Sequence, residues 1–333
     1  AATAARSSGS RVWCCAMRRR SESASDSGLP PDSPGTVVTV GTFDGVHRGH
    51  RDVLSRITTR AEELGLRSVL VTFDPHPLQV INPEAAPALL TVGAERLEIV
   101  AESGVDFMAV MPFTPALQRY SAAQFVDEVL IRRFRVRHLV IGHDHGFGRS
   151  REGDEDVLRR LGSERGFDVE VVEAVADAEG RPVSSTLIRR AVAGGDLRRA
   201  AKGLGRLYSV SGRVIEGDRR GRELGFPTLN VELPPPSSHK LLPPQGVYAV
   251  RVQTPSGPFG GMMNMGPRPT FGDAATSLEV HLFDASLDLY GAYVKVEFVS
   301  RLRDTRPFAD ASALVAQLAI DEENARAALT RLH

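Results

Sequence analysis

The sequence predicts two unlike folds in one chain. The N-terminal half reads as an α/β, doubly wound parallel sheet, and the second half as strands closed by a helix. Three observations predict this. The chain has 333 residues, a length for about two domains. Between Thr36 and Ala193, short runs that are apolar throughout alternate with helical periods, the pattern of a parallel sheet covered on both faces. After Gly194-Gly195 the helical periods give way to short strands punctuated by Gly and Pro, which fits a barrel or a sandwich.

Each element has a local reason. Val37–Gly41 is a short β-branched run and Ser68–Phe73 a second apolar one, with a helical period over Gly49–Leu64 between them. A helix around Ala94–Ser103 leads to strand Phe107–Met111, Ala122–Phe134 leads to Val136–Ile141, and Asp154–Gly166 leads to Val169–Val172. The helix Ser185–Ala193 closes the series. Helical Asp196–Lys202 bridges to strands Tyr208–Glu216, Gly246–Val252, Gly260–Met265, Leu278–Phe283 and Ala292–Phe298. Alternation is plainest at Val294, Val296 and Phe298. A last amphipathic helix, Asp310–Leu329, carries Leu314, Leu318 and Ala325 on one stripe. No internal repeat is present. The expected organisation is a disordered extension over 1–35, a first domain over 36–193, a linker over 194–206 and a second domain over 207–333.

Composition excludes several function classes. Hydrophobic residues make up 42% and charged residues 25%, ordinary globular usage that argues against a wholly disordered chain. The formal net charge is zero, so no electrostatic footprint for nucleic acid or an anionic membrane follows. The apolar runs are far too short to span a bilayer. The two cysteines, Cys14 and Cys15, lie in the N-terminal extension, which leaves the folded part without a disulfide, a thiol nucleophile or a cysteine-based zinc site. A cytosolic protein is the simplest reading, although the five arginines and no acid among the first twenty residues resemble a transit peptide.

Lysine usage excludes more. Only Lys202, Lys240 and Lys295 occur, so 38 of the 41 basic residues are arginine. None of the three follows a glycine, and a P-loop requires Gly-Lys-Ser/Thr. His50-Arg51-Asp52 lacks the asparagine that a protein-kinase catalytic loop places five residues on. Any ATP chemistry here must use another phosphate-binding device.

Two constellations supply candidates. The first, Gly41-Thr42-Phe43-Asp44-Gly45-Val46-His47-Arg48-Gly49-His50, lies at a strand end and opens a helix. Ligands bind at that edge of a doubly wound sheet, and a helix N-terminus favours phosphate. His47 and His50, three apart, point to one side of the first turn, where two imidazoles can donate to charge on a leaving pyrophosphate. Ser184-Ser185-Thr186-Leu187-Ile188-Arg189, at the start of the last helix of this half, offers hydroxyls and a guanidinium for a second phosphate clamp. Read singly, the histidines fit metal binding or capping, and Ser-Ser-Thr fits an N-cap.

The second constellation, Gly217-Asp218-Arg219-Arg220-Gly221-Arg222-Glu223-Leu224-Gly225-Phe226-Pro227-Thr228-Leu229-Asn230, is a glycine-rich, cationic flap suited to polyphosphate. Thr228 and Asn230 alternate along an extended segment, so both oxygens can face one Mg²⁺. Glu279 sits mid-strand between apolar neighbours, an unusual place for a merely solvated carboxylate, with an ordinary outward-facing strand residue as the alternative.

Taken together, the first set resembles the nucleotidyltransferase superfamily marked by the HxGH signature. With Thr72-Phe73-Asp74-Pro75-His76-Pro77, Pro112-Phe113-Thr114 and Gly142-His143-Asp144-His145-Gly146-Phe147-Gly148, it looks like the FMN-adenylyltransferase module of prokaryotic FAD synthetases. His145-Gly146 replace that family's usual aromatic and polar or basic pair. The second set, with Asn264-Met265-Gly266-Pro267-Arg268-Pro269-Thr270-Phe271-Gly272 and Leu278-Glu279-Val280-His281-Leu282-Phe283-Asp284, closely resembles riboflavin kinase. In order, the two halves resemble the bifunctional riboflavin kinase/FMN adenylyltransferase family over about Thr36 to Leu332.

That resemblance implies a Rossmann-like first domain and an antiparallel β-barrel second domain with a terminal helix. It implies two ATP-dependent steps, riboflavin to FMN and FMN to FAD, with Mg²⁺, and no partner beyond the small molecules riboflavin, FMN and ATP. Nucleic acid and membrane are not expected, the location is cytoplasmic, and a homo-oligomer is left open. It assigns Gly41, Phe43, Asp44, Gly45, His47, Gly49, His50, Asp144, Ser185, Thr186 and Arg189 to ATP in the first domain. In the second it assigns Gly221, Arg222, Gly225, Phe226, Pro227, Thr228, Asn230, Arg268 and Glu279 to ATP and flavin, with Thr228 and Asn230 on the metal and Glu279 as catalytic base. The alternatives are a single-activity kinase with a weakened adenylyltransferase half, or a non-catalytic flavin-binding regulator. A regulator should have lost Glu279 or the Thr228/Asn230 pair, and both are present.

Overall fold

Strand residues on opposite sides of one pleat enter two separate cores, which is what a sheet covered on both faces requires. The computed structural model describes residues 3–6, 11–16, 29, 33–143, 146–149, 152–217, 221, 224–233, 239–267 and 276–331. It divides into two compact units, Ala1–Ser185 and Thr186–His333.

In the first unit, strands β3 (Thr36–Val40), β4 (Arg67–Phe73), β5 (Phe107–Met111), β6 (Val136–Gly142) and β7 (Asp168–Val172) run parallel in the order β5-β4-β3-β6-β7. Val37, Leu70, Met108 and Val140 pack on one face with Val53, Leu54 and Ile57 of helix α1 (Arg48–Leu64). Val38, Val69, Val71 and Leu139 pack on the other face with Phe125, Val126 and Leu130. Fully burying a Leu or Ile such as Leu54 or Ile57 contributes about 1.5–3 kcal/mol. The expected helix Ala122–Phe134 is α5 (Ala122–Phe125), which widens into a π-helical stretch over Val126–Ile131.

Two short strands, β1 (Thr3–Arg6) and β2 (Arg11–Ala16), add to the β5 edge, inside the stretch expected to be disordered. Backbone pairing offered by an open edge needs no side-chain pattern, so the sequence carries no sign of it. Helix α2 (Pro77–Ile81) and helix α4 (Pro115–Gln118) were also absent from the sequence reading; each is a short turn with Pro at its start. Helix α3 (Gly93–Ala101) and helix α6 (Glu155–Arg165) lie where expected.

Helix α1 is fastened to the sheet edge by Glu170 of β7. Its carboxylate takes hydrogen bonds from Arg56, from Arg60 at 3.2 Å and from His138 at 3.1 Å. Burial pushes this carboxyl up, yet the bonds from Arg56, His138 and Arg60 outweigh it and hold the group below its usual range.

The second unit holds helix α7 (Ser185–Ala193, from its second residue on), helix α8 (Leu197–Leu204) and a closed barrel. Its strands are β8 (Tyr208–Ile215), β9 (Leu229–Glu232), β10 (Gly246–Thr254), β11 (Gly257–Pro267), β12 (Thr276–Leu282) and β13 (Tyr293–Arg303), in the order β10-β11-β12-β9-β8-β13. Val250, Val252, Met263, Met265, Val280, Val296 and Phe298 fill it, with Tyr248 edge-on to Phe298 at 5.2 Å. The sequence left a barrel and a sandwich open; the β8–β13 and β8–β9 pairings close the ring. Strand β9 was expected only as an extended segment, because four residues carry too little alternation.

Helix α9 (Ala311–Thr330) covers part of the barrel's outer wall, where Leu318, Ala325 and Leu329 meet Ala249, Met262 and Phe283. Within that apolar contact Asp321 is 1% exposed and takes the guanidinium of Arg303 at 2.6–3.0 Å and Gln317 Nε2 at 2.9 Å. No helix among the described residues is long and apolar enough to cross a membrane. Removing one partner of a buried ion pair strands the other, so Asp321→Ala should destabilise the barrel unit by about 3–5 kcal/mol in denaturant unfolding of the full chain.

Candidate active sites

The loop between β3 and α1 is built around a buried carboxylate. Asp44 is 1% exposed, and its Oδ2 and Oδ1 accept the N–H groups of Leu90 and Thr91 at 3.0 and 2.9 Å. Gly45 N–H donates to Thr91 Oγ1 at 3.0 Å. The Ser185 hydroxyl donates to the Asp44 carbonyl at 2.9 Å, which ties the start of α7 to the same loop. Phe43 and Val46 adopt left-handed φ values of 46° and 40°. Such backbone costs of order 1–3 kcal/mol for a non-glycine residue, and it persists only where the surroundings over-determine it. Asp44 and Ser185 supply that determination.

These bonds change what several expected phosphate contacts can do. Gly41 N–H is taken by Val71 O at 3.0 Å, and Gly45 N–H by Thr91, so both glycines shape the loop. Gly49 keeps room for the His47 ring, since a Cβ there would lie 3.3 Å from it. Helix N–H groups can meet a ligand at Arg48 and Gly49, the first positions of α1. His47 caps the helix, with Nδ1 accepting His50 N–H at 3.3 Å. The neutral His47 ring therefore carries its proton on Nε2. The His47 and His50 rings stack at 3.7 Å, and Phe43 lies 4.7 Å from His50. Thr186 and Arg189 follow Ser185 along α7. Asp144 lies outside the described residues.

Arg96 also enters this region, though nothing in the sequence marks it. Its guanidinium is buried and donates to Thr42 O at 3.3 Å and Phe73 O at 3.4 Å, joining the carboxyl ends of β3 and β4. A charged residue in the middle of an amphipathic helix gives no local sign of which side it faces.

In the barrel, Glu279 pairs directly with Asn264 on one side and Asn230 on the other. Residues opposite one another across an antiparallel pair share a face, about 4.5–5.5 Å apart at Cβ. Leu278, Val280 and Leu282 are buried and alternate with Ser277, Glu279 and His281. Glu279 thus faces the outside of the barrel and is half-buried in a polar row. Of the two readings left open by the sequence, the outward-facing position is the one the strand alternation shows. Ser277 Oγ donates to Glu279 Oε1 at 3.0 Å.

Gly217 lies against this row, and Gly221 against the turn that leads to Thr228. A Cβ on Gly217 would lie 2.0 Å from Asn230 Nδ2, and one on Gly221 would lie 2.3 Å from Phe226 O and 3.4 Å from Thr228 Oγ1. Leu224 and Phe226 N–H both return to Gly221 O, at 3.2 and 2.8 Å, and Gly225 takes the left-handed φ of 82° that this turn needs. His281 Nδ1 is 2.8 Å from Pro227 O. Arg222 and Arg268 lie outside the described residues. The donors at hand are hydroxyl, amide and carboxylate oxygens, the set that suits Mg²⁺ shared with phosphate and water. Among the described residues no three His, Cys, Asp or Glu are grouped to hold a metal. A Thr228/Asn230 site under glycines that leave no room for a Cβ fits an ion carried in with polyphosphate.

Family models of FAD synthetase and riboflavin kinase match residues 29–187 and 204–329. A bifunctional riboflavin kinase/FMN adenylyltransferase of Pseudomonas fluorescens is 41% identical over 300 residues, covering 90% of this chain and 94% of that one. Its counterpart in Escherichia coli K12 is 39% identical over 293 residues, covering 88% and 92%. A crystal structure described as a macrolide-efflux protein of Streptococcus pneumoniae is 30% identical, covers 89% of this chain and 96% of that one, and superposes with a TM-score of 0.79.

The loop geometry generates a stability test. Asp44→Asn turns one acceptor into a donor facing an N–H group and should destabilise the first unit by about 1–3 kcal/mol in denaturant unfolding.

Proposed function

Because the chain belongs to the bifunctional riboflavin kinase/FMN adenylyltransferase family, we propose that its two units catalyse successive ATP-dependent steps through the residues described above. The barrel phosphorylates riboflavin to FMN, and the α/β unit joins FMN to AMP as FAD. The observation that carries the residue assignment is the pairing of Glu279 with Asn230 on the open outer wall, beneath the flap.

In the first step Glu279 takes the proton of the terminal ribityl hydroxyl. That oxygen bonds to the γ-phosphorus of ATP as the bond to ADP breaks. Ser277 orients the accepting carboxylate through its 3.0 Å bond. Thr228 and Asn230 would hold a Mg²⁺, whose charge offsets that of the phosphates. Gly221 and Gly225 shape the turn that brings Phe226, Pro227 and Thr228 beside the row, and the motif assigns all of these, with Arg222 and Arg268, to the same substrates. Positioning and charge neutralisation carry most of such a transfer.

In the second step an FMN phosphate oxygen bonds to the α-phosphorus of a second ATP, and pyrophosphate leaves. The His47 and His50 rings and the N-terminus of α1 stabilise the charge on the leaving group. Asp44 and Ser185 hold the loop that places them, and Arg96 holds the strand ends. Thr186, Arg189 and Asp144 are assigned to the nucleotide by their motifs. No covalent enzyme intermediate is needed. We place both reactions in the cytoplasm, a compartment that supplies ATP.

Riboflavin and MgATP incubated with the purified chain, and separated by fluorescence chromatography, should yield FMN and then FAD. Glu279→Gln should cut FMN formation by ~10²–10⁴-fold while added FMN is still converted to FAD. His50→Ala should do the reverse, so that FMN accumulates; equal loss of both activities in either variant would refute two independent sites. A methyl at Gly217 would strike the Asn230 amide, so Gly217→Ala should lower kinase kcat/KM by roughly tenfold, about 1.4 kcal/mol, with FMN adenylylation unchanged.

A further inference from the structure

Among the described residues, the stretch just before Thr228 makes few backbone hydrogen bonds of its own. Phe226 N–H closes the turn on Gly221 O at 2.8 Å, but Pro227 has no N–H to give, and β9 starts only at Leu229. The Pro227 carbonyl points at His281 Nδ1, 2.8 Å away. A carbonyl oxygen can only accept, so Nδ1 carries the proton, in the neutral ring and in the charged one alike. The ring is held edge-on between Phe226 at 5.3 Å and Phe283 at 5.9 Å, which sets its direction. The β12–β9 register pairs Glu279 with Asn230 and Val280 with Leu229. Continued by one residue, it sets His281 across from Thr228.

We propose that His281 is a positioning residue for phosphoryl transfer: its Nδ1–H grips the Pro227 carbonyl and so fixes the height of Thr228 above the strand that bears Glu279. The proposal rests on the kinase reading of Glu279 and Thr228. Ser277 and His281 flank Glu279 on the same face of β12, so one strand aligns the base through one neighbour and the opposing flap through the other. A hydroxyl displaced by a fraction of an ångström loses its grip on the polyphosphate, because transfer depends on alignment.

Two variants separate the hydrogen bond from ring packing. His281→Phe keeps an aromatic ring between Phe226 and Phe283 but has no donor; His281→Asn loses the ring and keeps an amide N–H where Nδ1 stood. In the full-length chain, His281→Phe should raise the KM for ATP in the kinase reaction about tenfold, leaving the riboflavin KM and FMN adenylylation unchanged. His281→Asn should restore most of the ATP KM. Without any substrate, amide hydrogen exchange in the peptide over 224–230 should be about tenfold faster in His281→Phe and near normal in His281→Asn. If His281→Phe does not fold, His281→Gln, whose amide sits where Nε2 was, should show the same losses. Wild-type ATP KM and exchange in the donor-less variants would overturn the proposal, as would a larger loss in His281→Asn than in His281→Phe, which would make the ring a packing element. Failure of the kinase reading itself would show separately, as full activity in Glu279→Gln.

Discussion

A carboxylate that burial would make costly, Asp44, organises the N-terminal site. Its side chain satisfies two backbone N–H groups at Leu90 and Thr91, and its carbonyl takes the hydroxyl of Ser185. Three separate stretches of chain therefore meet at one turn, and the left-handed residues Phe43 and Val46 are held there against their own preference. Once the turn is held, His47 caps α1 and the two imidazoles stack at the helix start. In the function proposed above, a chain with three lysines and no P-loop would hold phosphate by a helix terminus and two rings in place of a lysine-bearing loop.

The barrel is arranged differently. Its interior is apolar, and the polar row lies on the outer wall, in the part that α9 leaves uncovered. Alternation along β12 sends Leu278, Val280 and Leu282 inward and Ser277, Glu279 and His281 outward. Each outward residue has a partner: the first bonds the carboxylate, the carboxylate faces Asn230 and Asn264, and the third bonds the flap at Pro227. Polar groups half-withdrawn from water need such partners, and the same bonds orient them for use. The Arg303–Asp321 pair, buried under α9, keeps the helix seated on the other part of that wall.

Much of this was legible in the residues. The parallel sheet followed from apolar strands separated by helical periods, and the two phosphate motifs stood out because histidines, glycines and hydroxyls fell at strand and helix ends. What was not legible involved partners distant in the chain. Asp44 looked like a phosphate-loop residue, yet its bonds to Leu90 and Thr91 span more than forty positions. Gly41 and Gly45 were assigned to ATP by the motif, and their N–H groups bond Val71 O and Thr91 Oγ1. Arg96 carried no local mark, and His281 stood in a motif without a role, because their bonds run to backbone carbonyls, which every residue has.

The order of residues marked the five parallel strands, their long helices and most strands of the barrel, because periodicity, capping and glycine content act over a few neighbouring positions. It also settled the family, through motifs that recur in sequence. The closing of the barrel, the pairing of Glu279 with Asn230 and the division of labour between loop-holding and ligand-facing groups were settled by folding. Those depend on strand register and on hydrogen bonds between residues far apart in the chain, which exist only once the segments have packed.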